Sequence, residues 1–346
     1  MDRLKLLETG LRAFDTCLPE VAPWRCIRTR YQAGSCRLCQ DACPHEAVET
    51  VPWLTIDADR CSSCGACAAV CRTGALAYAE RGRGWREWLT TAAGDDGTPV
   101  LACARASHAV DEALTIRCAG GLSVADLLAA STAGAEEIVV VTGECAGCPD
   151  ATAGRRLGEE LGAACEAVTL LGEGHSLSVL VVGTATSAPD EPSPGGERPQ
   201  AISRRDLFAF VGRRARRATA DALTPAKLTI EELHRQTPPP QRHAWLVKDL
   251  LATTWSAALS DARLPAVLPL AEVIIGSACD GCGLCERYCP HAALTSATGG
   301  LHTNPAACTA CGLCVEVCPR EALELRPLTF RALRDAARGA PAATPA

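Results

Sequence analysis

Two repeats of a four-cysteine motif, between Cys279 and Cys318, constrain the fold of this 346-residue chain more than any other feature. Each repeat has the spacing C-x2-C-x2-C-x3-C and ends in Cys-Pro, and the two are offset by 29 positions. This is the bacterial spacing for [4Fe–4S] clusters, in which three thiolates bind one cluster and the fourth binds the other. Disulfides or structural zinc would not require eight cysteines in two identical runs. The predicted ligand sets are Cys279, Cys282, Cys285 and Cys318 for one cluster, and Cys308, Cys311, Cys314 and Cys289 for the other.

A second pair of cysteine runs, in residues 26–80, follows the same pattern with two departures. The later run has all four cysteines, but Arg72 replaces the usual proline. The earlier run has Ala33 where its first cysteine would stand. We predict that Cys26 supplies this ligand through a longer loop, with Cys17 as the alternative; a site that has lost a ligand, with a three-iron cluster or none, is the other interpretation. The predicted sets are Cys26, Cys36, Cys39 and Cys71 for one cluster, and Cys61, Cys64, Cys67 and Cys43 for the other.

The region between these units changes character after a charged, glycine-containing boundary at residues 81–97. Alternating strands and helices there predict a parallel sheet with both faces covered. Four cysteines follow the predicted strands, at the edge where such sheets bind their ligands. They are Cys103, Cys118, Cys145 and Cys148. The predicted strands are residues 99–104, 114–118, 137–142 and 177–182, and the predicted helices are 123–131 and 150–165. Outside this region, the sequence predicts a short amphipathic helix within residues 1–20 and strands at residues 51–57 and 272–275.

Four thiolates at one sheet edge suit either a [2Fe–2S] cluster or a zinc ion, and their spacing does not separate the two. The C-x2-C turn that begins at Cys145 also fits a thioredoxin-like redox pair, although that interpretation leaves the other two cysteines unexplained. The pair Gly120-Gly121 is expected to let the Cys118 loop approach a cofactor. Cys17 and Cys165 are interpreted as buried thiols.

The central segment, from L-A-C-A-R-A through T-I-R-C-A-G-G to G-A-E-E-I-V-V-V-T-G-E-C-A-G-C-P-D, resembles the iron–sulfur delta subunit of the methyl-viologen-reducing hydrogenases. This resemblance implies a [2Fe–2S] cluster and an electron relay between a hydrogenase and a flavin-containing heterodisulfide reductase. The family has several cysteines near the position of Cys103, where this chain keeps one. The flanking units resemble bacterial dicluster ferredoxins, which implies a ferredoxin-like fold but no particular partner.

The predicted fold class is therefore α+β ferredoxin-like dicluster domains at both ends, with a central α/β parallel-sheet domain. A Pro/Gly/Ser-rich linker is predicted at residues 184–200, two helices at 227–260, and a basic amphipathic helix at 203–217. This last helix presents a solvated face, or docks on an acidic partner or an anionic membrane surface. The predicted domains are residues 1–90, 97–185, 186–262 (linker and helical segment), 263–330 and 331–346 (tail).

Composition limits which cellular compartment and which classes of partner we expect for this chain. The net charge of −6 gives no support for a nucleic-acid partner. Cysteines in C-x2-C clusters indicate a reducing compartment. The N-terminus lacks the features of a signal peptide, and no apolar run reaches the length needed to span a bilayer. We therefore expect a cytoplasmic protein without a transmembrane segment. His45 and His291 each follow a Cys-Pro, which places them near a cluster, with a surface role as the favoured interpretation.

The number of cysteines that fit cluster sites, together with the motifs that the sequence lacks, indicates a function. Sixteen cysteines fit four [4Fe–4S] clusters, four fit the central site, and no nucleotide loop or metalloprotease motif is present. We interpret the chain as an iron–sulfur electron-transfer component of a larger oxidoreductase complex, without turnover of its own. The expected partners are redox subunits: a hydrogenase, a flavoprotein such as a heterodisulfide reductase, or a molybdenum or tungsten enzyme such as formate dehydrogenase. The alternatives are a thiol–disulfide or metal-dependent redox enzyme that uses the central cysteines, and a redox sensor.

Overall fold

The computed structural model describes residues 18–78, 87–92, 98–106, 113–169, 178–183, 235–252, 261–266, 268–297 and 300–338. Four predicted features lie outside these residues. They are Cys17 with the N-terminal helix, the linker at 184–200, the basic helix at 203–217, and the chain after Arg338.

The N-terminal unit consists of very short elements between its cysteines. Its strands form two antiparallel pairs, β1 with β4 and β2 with β3. The strand predicted over residues 51–57 is shorter than expected, because residues 51–53 form a bend and pairing begins only at Thr55. The elements are Glu20–Val21 (β1), Ile27–Arg30 (α1), Leu38–Asp41 (α2), Val48–Glu49 (β2), Thr55–Ile56 (β3), Ala66–Val70 (α3) and Leu76–Ala77 (β4).

A four-stranded parallel sheet forms the central domain, which confirms the predicted parallel sheet. The prediction that both of its faces are covered is wrong for the last strand, Ser178–Gly183, in which Leu180, Val181 and Val182 are all exposed. Its spatial order is β6-β5-β7-β8, with all three pairings parallel. Ser123 begins the first helix with a capping box, in which its hydroxyl oxygen accepts from the Asp126 N–H and its own backbone N–H donates to the Asp126 carboxylate at 3.0 Å. The elements are Val100–Cys103 (β5), Leu114–Ile116 (β6), Val124–Thr132 (α4), Glu137–Thr142 (β7), Ala151–Thr169 (α5) and Ser178–Gly183 (β8).

The core of the central domain takes in residues from outside its predicted boundaries. Helix Gln241–Ala252 (α6) lies in the segment predicted as linker and helices, and it packs against α4. Its Leu246 and Leu250 are buried in the same core as Leu128 of α4 and Ile138 of β7. Leu89, which the predicted boundaries assign to the N-terminal unit, is fully buried there too. These aliphatic side chains extend the core beyond the sheet and its own two helices.

The C-terminal unit repeats the arrangement of the N-terminal one with longer strands. The predicted strand at 272–275 is confirmed as part of β9, which pairs antiparallel with β12, and β10 and β11 form a hairpin. A last helix, capped by the Thr329 hydroxyl, occupies the start of the predicted tail. The elements are Ala271–Ile275 (β9), Leu284–Tyr288 (α7), Leu294–Ala297 (β10), Gly300–Thr303 (β11), Leu313–Glu316 (α8), Leu323–Pro327 (β12) and Phe330–Ala337 (α9).

A buried histidine joins α6 to the C-terminal unit. His243 is 3% exposed, and its Nε2 lies 2.9 Å from the carbonyl oxygen of Ala306. Burial lowers the pKa of His243 below its ordinary value, because a charged ring is disfavoured away from water. The unfolded chain therefore binds this proton at a higher pH than the folded chain. The stability that the neutral ring contributes is complete above about pH 6.5 and is lost as the pH falls through the folded pKa.

We expect the substitution His243→Gln to flatten the acid side of the stability profile, because glutamine keeps an N–H donor toward Ala306 but does not titrate. The effect is at most about 1.4 kcal/mol per pH unit below about pH 6.5. Thermal unfolding of both proteins at about pH 7.5 and about pH 6 tests this. Equal losses of stability in the two proteins would show that His243 is not responsible.

Candidate iron–sulfur sites

Three of the four ferredoxin-type cysteine runs enter a helix through a left-handed glycine. Gly65, Gly283 and Gly312 have φ values of 91°, 74° and 83°, and each precedes the helix that carries the third cysteine of its run. Glycine adopts this conformation at little steric cost, which explains its place in the C-G-x-C part of each motif. In the earlier N-terminal run, Arg37 takes the corresponding position with φ −129°. The irregular run therefore also differs in backbone conformation.

The first predicted ligand set lies around one cavity in the C-terminal unit. Cys279, Cys282, Cys285 and Cys318, the outer C-terminal set, line a cavity of about 120 Å³. Cys282 is exposed and Cys285 is buried. Burial raises the pKa of Cys285 to about 11, and the neighbouring thiols add to the rise. One side of this cavity therefore faces solvent while the other is closed.

The second set of the C-terminal unit is more deeply buried. Cys289, Cys308, Cys311 and Cys314 form the inner C-terminal set, and the last three each interact electrostatically with Cys289. Burial raises the pKa of Cys308 to about 11 and that of Cys311 to about 12. Cys314 also interacts with Cys285 of the outer set, so the two sets are neighbours.

The irregular N-terminal run gathers four cysteines in the structure. Cys26, Cys36, Cys39 and Cys71, the inner N-terminal set, line one cavity. Burial raises the pKa of the Cys39 thiol, and the next largest causes are the charges of Cys71, Cys26 and Cys36. The structure therefore places Cys26 where the sequence predicts the missing fourth ligand. Whether it binds iron stays a prediction.

The last ferredoxin-type set lies beside it. Cys43, Cys61, Cys64 and Cys67, the outer N-terminal set, line one cavity together with His45 and Ser62. The thiol of Cys67 interacts with Cys64 and Cys61, and also with Cys39 of the inner N-terminal set. Burial is the main reason that its pKa is raised.

Backbone amides donate hydrogen bonds to the last cysteine of every ferredoxin-type run. Such N–H donors stabilise a thiolate and, in an iron–sulfur site, influence the reduction potential. Each donor comes from the chain four or five residues after its cysteine, because the run ends in a turn. The donors and their N to Sγ distances are Ala47 to Cys43 at 3.2 Å, Leu76 to Cys71 at 3.5 Å, Ala293 to Cys289 at 3.4 Å, and Ala322 to Cys318 at 3.4 Å.

These four sets fit a [4Fe–4S] cluster by their donor chemistry. Each offers four thiols, of which all but Cys282 are buried or half-buried; four uncompensated thiolates there would repel one another, and iron would supply positive charge. Among the described residues, no three His, Cys, Asp or Glu side chains converge closely enough to bind a single metal ion. Thiolates on a cluster each bind a different iron, so they stand further apart than the ligands of one ion.

The four central cysteines also come together, at the carboxyl edge of the sheet. Cys103, the last residue of β5, accepts a hydrogen bond from the Gly143 N–H at 3.4 Å. It interacts electrostatically with both Cys118 and Cys145, and Cys145 interacts with Cys148. Burial raises the pKa of Cys118 to about 12. The structure thus places these cysteines, the central set, at the sheet edge that the sequence predicts.

The predicted role of Gly120 is to let the Cys118 loop approach a cofactor, whereas in the structure it lets this loop approach helix α5. A Cβ at this position would lie 2.2 Å from the carbonyl oxygen of Ala153 in α5. The glycine therefore lets the loop after Cys118 press against the α5 backbone. The Nη1 of Arg156 reinforces the contact by donating to the Gly120 carbonyl oxygen at 2.9 Å.

The central set adjoins the outer N-terminal set through a polar contact that sequence analysis missed. The Asp150 carboxylate, two residues after Cys148, accepts a hydrogen bond from the Ser62 hydroxyl at 2.7 Å and lies 2.8 Å from the His45 Nε2. The thiol of Cys118 interacts electrostatically with Cys64. The favoured surface role does not fully describe His45, because its ring pairs with Asp150 of the central domain.

His291 also differs from its predicted surface role. It is 3% exposed, and its Nδ1 lies 3.2 Å from the carbonyl oxygen of Thr237. Burial lowers its pKa to about 4, so the ring is neutral near pH 7. It is buried beside Thr237, with Arg25 and Arg30 of the N-terminal unit and His243 nearby, and does not present a charge at the surface.

The two ferredoxin-type units contact each other directly at their inner sets. Cys311 of the inner C-terminal set lines the same cavity as the inner N-terminal set. The sequence leaves two roles for the central domain, to connect the two units or to dock a redox partner, and the first of these does not match the order of the sets, because the central set comes last. The sets follow one another as outer C-terminal, inner C-terminal, inner N-terminal, outer N-terminal and central.

Comparisons with known families match segments near both ends of the chain. Residues 278–328 match the model of the 4Fe-4S dicluster domain, and residues 54–77 match the model of the 4Fe-4S binding domain. The chain therefore contains 4Fe–4S ferredoxin-type domains near both ends, which points to a role in electron transfer. The resemblance of the central domain to the hydrogenase delta subunit has no counterpart among these matches.

No curated protein and no solved structure matches the chain. Across the part of the chain that the structure describes, every helix is too short or too polar to cross a membrane.

Proposed function

We propose that this chain is an iron–sulfur electron-transfer protein that holds four [4Fe–4S] clusters and one [2Fe–2S] cluster. The observation that carries the proposal is the unbroken order of five cysteine sets, in which thiols of each set lie near enough to those of the next to interact electrostatically or to line one cavity. When bound, the clusters supply reversible one-electron exchange, at potentials that depend on charge, hydrogen bonds and burial. An unbroken order is what a chain of redox centres needs and what a structural role does not require.

The residues of the chain contribute the surroundings that such centres need. The loops hold four thiols around each cavity, and the backbone N–H groups after each run donate to sulfur. Burial of Cys285, Cys289, Cys308 and Cys314 keeps water away from the middle of the C-terminal unit. The exposed Cys282 marks the end of the order that solvent and a partner protein can reach.

The central set supports a binuclear cluster better than a thioredoxin-like pair. A redox pair would use only Cys145 and Cys148, whereas the structure brings Cys103 and Cys118 to the same edge. The electrostatic interaction between Cys118 and Cys64 makes the central set the next member of the order. A zinc ion at this place would carry no electrons, and it is the outcome that the experiment below separates.

The proposed setting is a larger cytoplasmic oxidoreductase complex, because the chain offers two ends for electron exchange and no substrate motif. The partners proposed from the sequence are a hydrogenase, a flavoprotein, or a molybdenum or tungsten enzyme. One partner would exchange electrons near Cys282, and the other near the exposed turn between Cys145 and Cys148. The isolated chain is expected to be reduced and reoxidised without turnover of a substrate.

Iron, sulfide and zinc analysis after anaerobic purification tests this proposal, together with EPR spectroscopy of the reduced protein. We expect about 18 iron and about 18 sulfide per chain, and no zinc. About 16 iron with one zinc would make the central domain a structural element and limit the electron path to the two ferredoxin-type units. An iron content well below about 16 would contradict the four [4Fe–4S] clusters.

A further inference from the structure

Two arginines lie where the ferredoxin-type units meet, and we call them the arginine junction: Arg30 and Arg72. Arg30 is 5% exposed, and its guanidinium donates to four carbonyl oxygens from three parts of the chain. Two of these acceptors directly precede Cys289 of the inner C-terminal set. The acceptors and distances are Trp24 at 2.8 Å, Tyr288 at 2.9 Å, Arg235 at 3.0 Å and Arg287 at 3.2 Å.

Arg72 makes the second contact from the other side. It follows Cys71 of the inner N-terminal set, at the position where the motif usually has proline. Its Nη1 donates to the carbonyl oxygen of Ala310 at 2.8 Å, and Ala310 lies between two ligands of the inner C-terminal set. The departure from the motif thus provides a bond between the two units that proline cannot make.

The charges of the junction act on the inner cysteines. The Arg30 guanidinium interacts electrostatically with Cys289 and Cys311, and that of Arg72 interacts with Cys308. Among the described residues, neither guanidinium forms an ion pair with a carboxylate. Glu316 is an acidic residue near the inner N-terminal set: its charge acts on Cys36, and its carboxylate accepts hydrogen bonds from the N–H and hydroxyl of Ser35 at 3.0 and 2.5 Å. Its side chain is exposed, so water screens its charge.

The outer sets have different surroundings. At the outer C-terminal set, the positive charge of Arg320 is paired with Asp280 at 3.1 Å on the surface. At the outer N-terminal set, the charge of Asp150 acts on Cys61 and Cys64. Among the described residues, the arginine charge beside the inner sets is buried or half-buried and has no carboxylate partner, whereas the charge beside the outer sets is paired, negative or, for Arg117 at 3.0 Å from the Ser62 carbonyl oxygen, exposed to water.

We infer that Arg30 and Arg72 are positioning residues that join the two units and make the inner clusters easier to reduce than they would be without the two charges. The inference rests on the proposed function, because it requires clusters at these sets. Each reduction adds one electron and takes a [4Fe–4S] cluster from the 2+ to the 1+ state. A nearby cation stabilises the added negative charge, and a buried cation does so more strongly than one in water.

An anaerobic redox titration with dithionite, followed by EPR spectroscopy, tests the inference on the whole protein. Arg72→Gln keeps an N–H donor toward Ala310 but loses the charge, and Arg30→Met loses both. We expect each variant to shift the midpoint of the inner clusters to a more negative potential. Arg30→Lys keeps the charge, so its midpoint is expected to stay near that of the natural protein while its stability falls.

Arg37→Gln is the matched control. Arg37 lies between Cys36 and Cys39, but its side chain is 67% exposed and pairs with Asp41, so its removal is expected to leave every midpoint unchanged. Unchanged midpoints in Arg72→Gln, with full iron content, would overturn the inference even if Arg30→Met failed to fold. An iron content below about 16 in the natural protein would instead contradict the proposed function itself.

Discussion

Cys26→Ala is expected to lower the iron content of the anaerobically purified protein by about four atoms per chain, with a matching loss of sulfide. Cys26 is 8% exposed and begins α1, and its thiol interacts with Cys71 across the inner N-terminal cavity. Without it, three thiols would face a cluster that needs four ligands. The measurement is iron and sulfide analysis, with EPR spectra of the reduced variant.

Two further substitutions make this experiment decisive. Cys165→Ala is the control, because Cys165 lies in α5 away from every predicted set, and its iron content is expected to equal that of the natural protein. Cys17→Ala tests the alternative ligand directly, and no loss is expected. Loss of iron in Cys17→Ala but not in Cys26→Ala would show that Cys17, and not Cys26, completes the site. A loss of only about one iron in Cys26→Ala would still identify Cys26 as a ligand, with a three-iron cluster left behind.

The features that the sequence predicted well are those with a local pattern. Cysteine spacing fixes which thiols can face one another, because the loops are short and glycine turns them in a defined direction. Alternation of apolar runs with helical stretches likewise located the central strands to within two residues. In both cases the physical cause and the pattern that reveals it lie within about a dozen neighbouring positions.

The contacts between units have no such local pattern. The Arg30 guanidinium reaches a carbonyl oxygen 258 positions away, and Arg72 one that is 238 positions away. His45 and Asp150 are 105 positions apart. From sequence alone, an arginine near the end of a short element is expected to be solvated, because nothing local indicates its distant acceptor. The missing proline at Arg72 was the one local signal, since a departure from a strict motif often has a structural reason.

Helix α6 illustrates the same limit on a larger scale. Its sequence is amphipathic, but nothing in residues 241–252 indicates which surface its apolar side faces. In the structure, Leu246 and Leu250 enter the core of the central domain, while His243 contacts the C-terminal unit. A segment that was predicted as part of a linker region therefore packs between two units. Helical periodicity predicts the element, and only the tertiary structure supplies its partner.

Gly120→Ala is expected to disrupt the central site although it removes no thiol. The new Cβ would lie 2.2 Å from the carbonyl oxygen and 2.7 Å from the Cβ of Ala153, closer than real contacts allow. Backbone atoms of a 19-residue helix cannot move aside like the end of a flexible side chain. Overpacking of this kind costs about 3 kcal/mol of stability. The loop that carries Cys118 is expected to move away from α5, and the protein to lose about two iron.

Gly147→Ala provides the control for this prediction. Gly147 lies between Cys145 and Cys148, closer in sequence to the central thiols, yet a Cβ there meets no atom within 4 Å. Its substitution is expected to change stability by less than about 0.5 kcal/mol and to leave the iron content unchanged. Hydrogen exchange of α5 and iron analysis of both variants measure the difference. Both substitutions add one methyl group to a loop that carries central cysteines. Equal effects on stability and iron content would therefore mean that contact with α5 does not hold the Cys118 loop. A loss confined to Gly120→Ala would show that packing against α5, rather than freedom of the loop, brings Cys118 to the sheet edge.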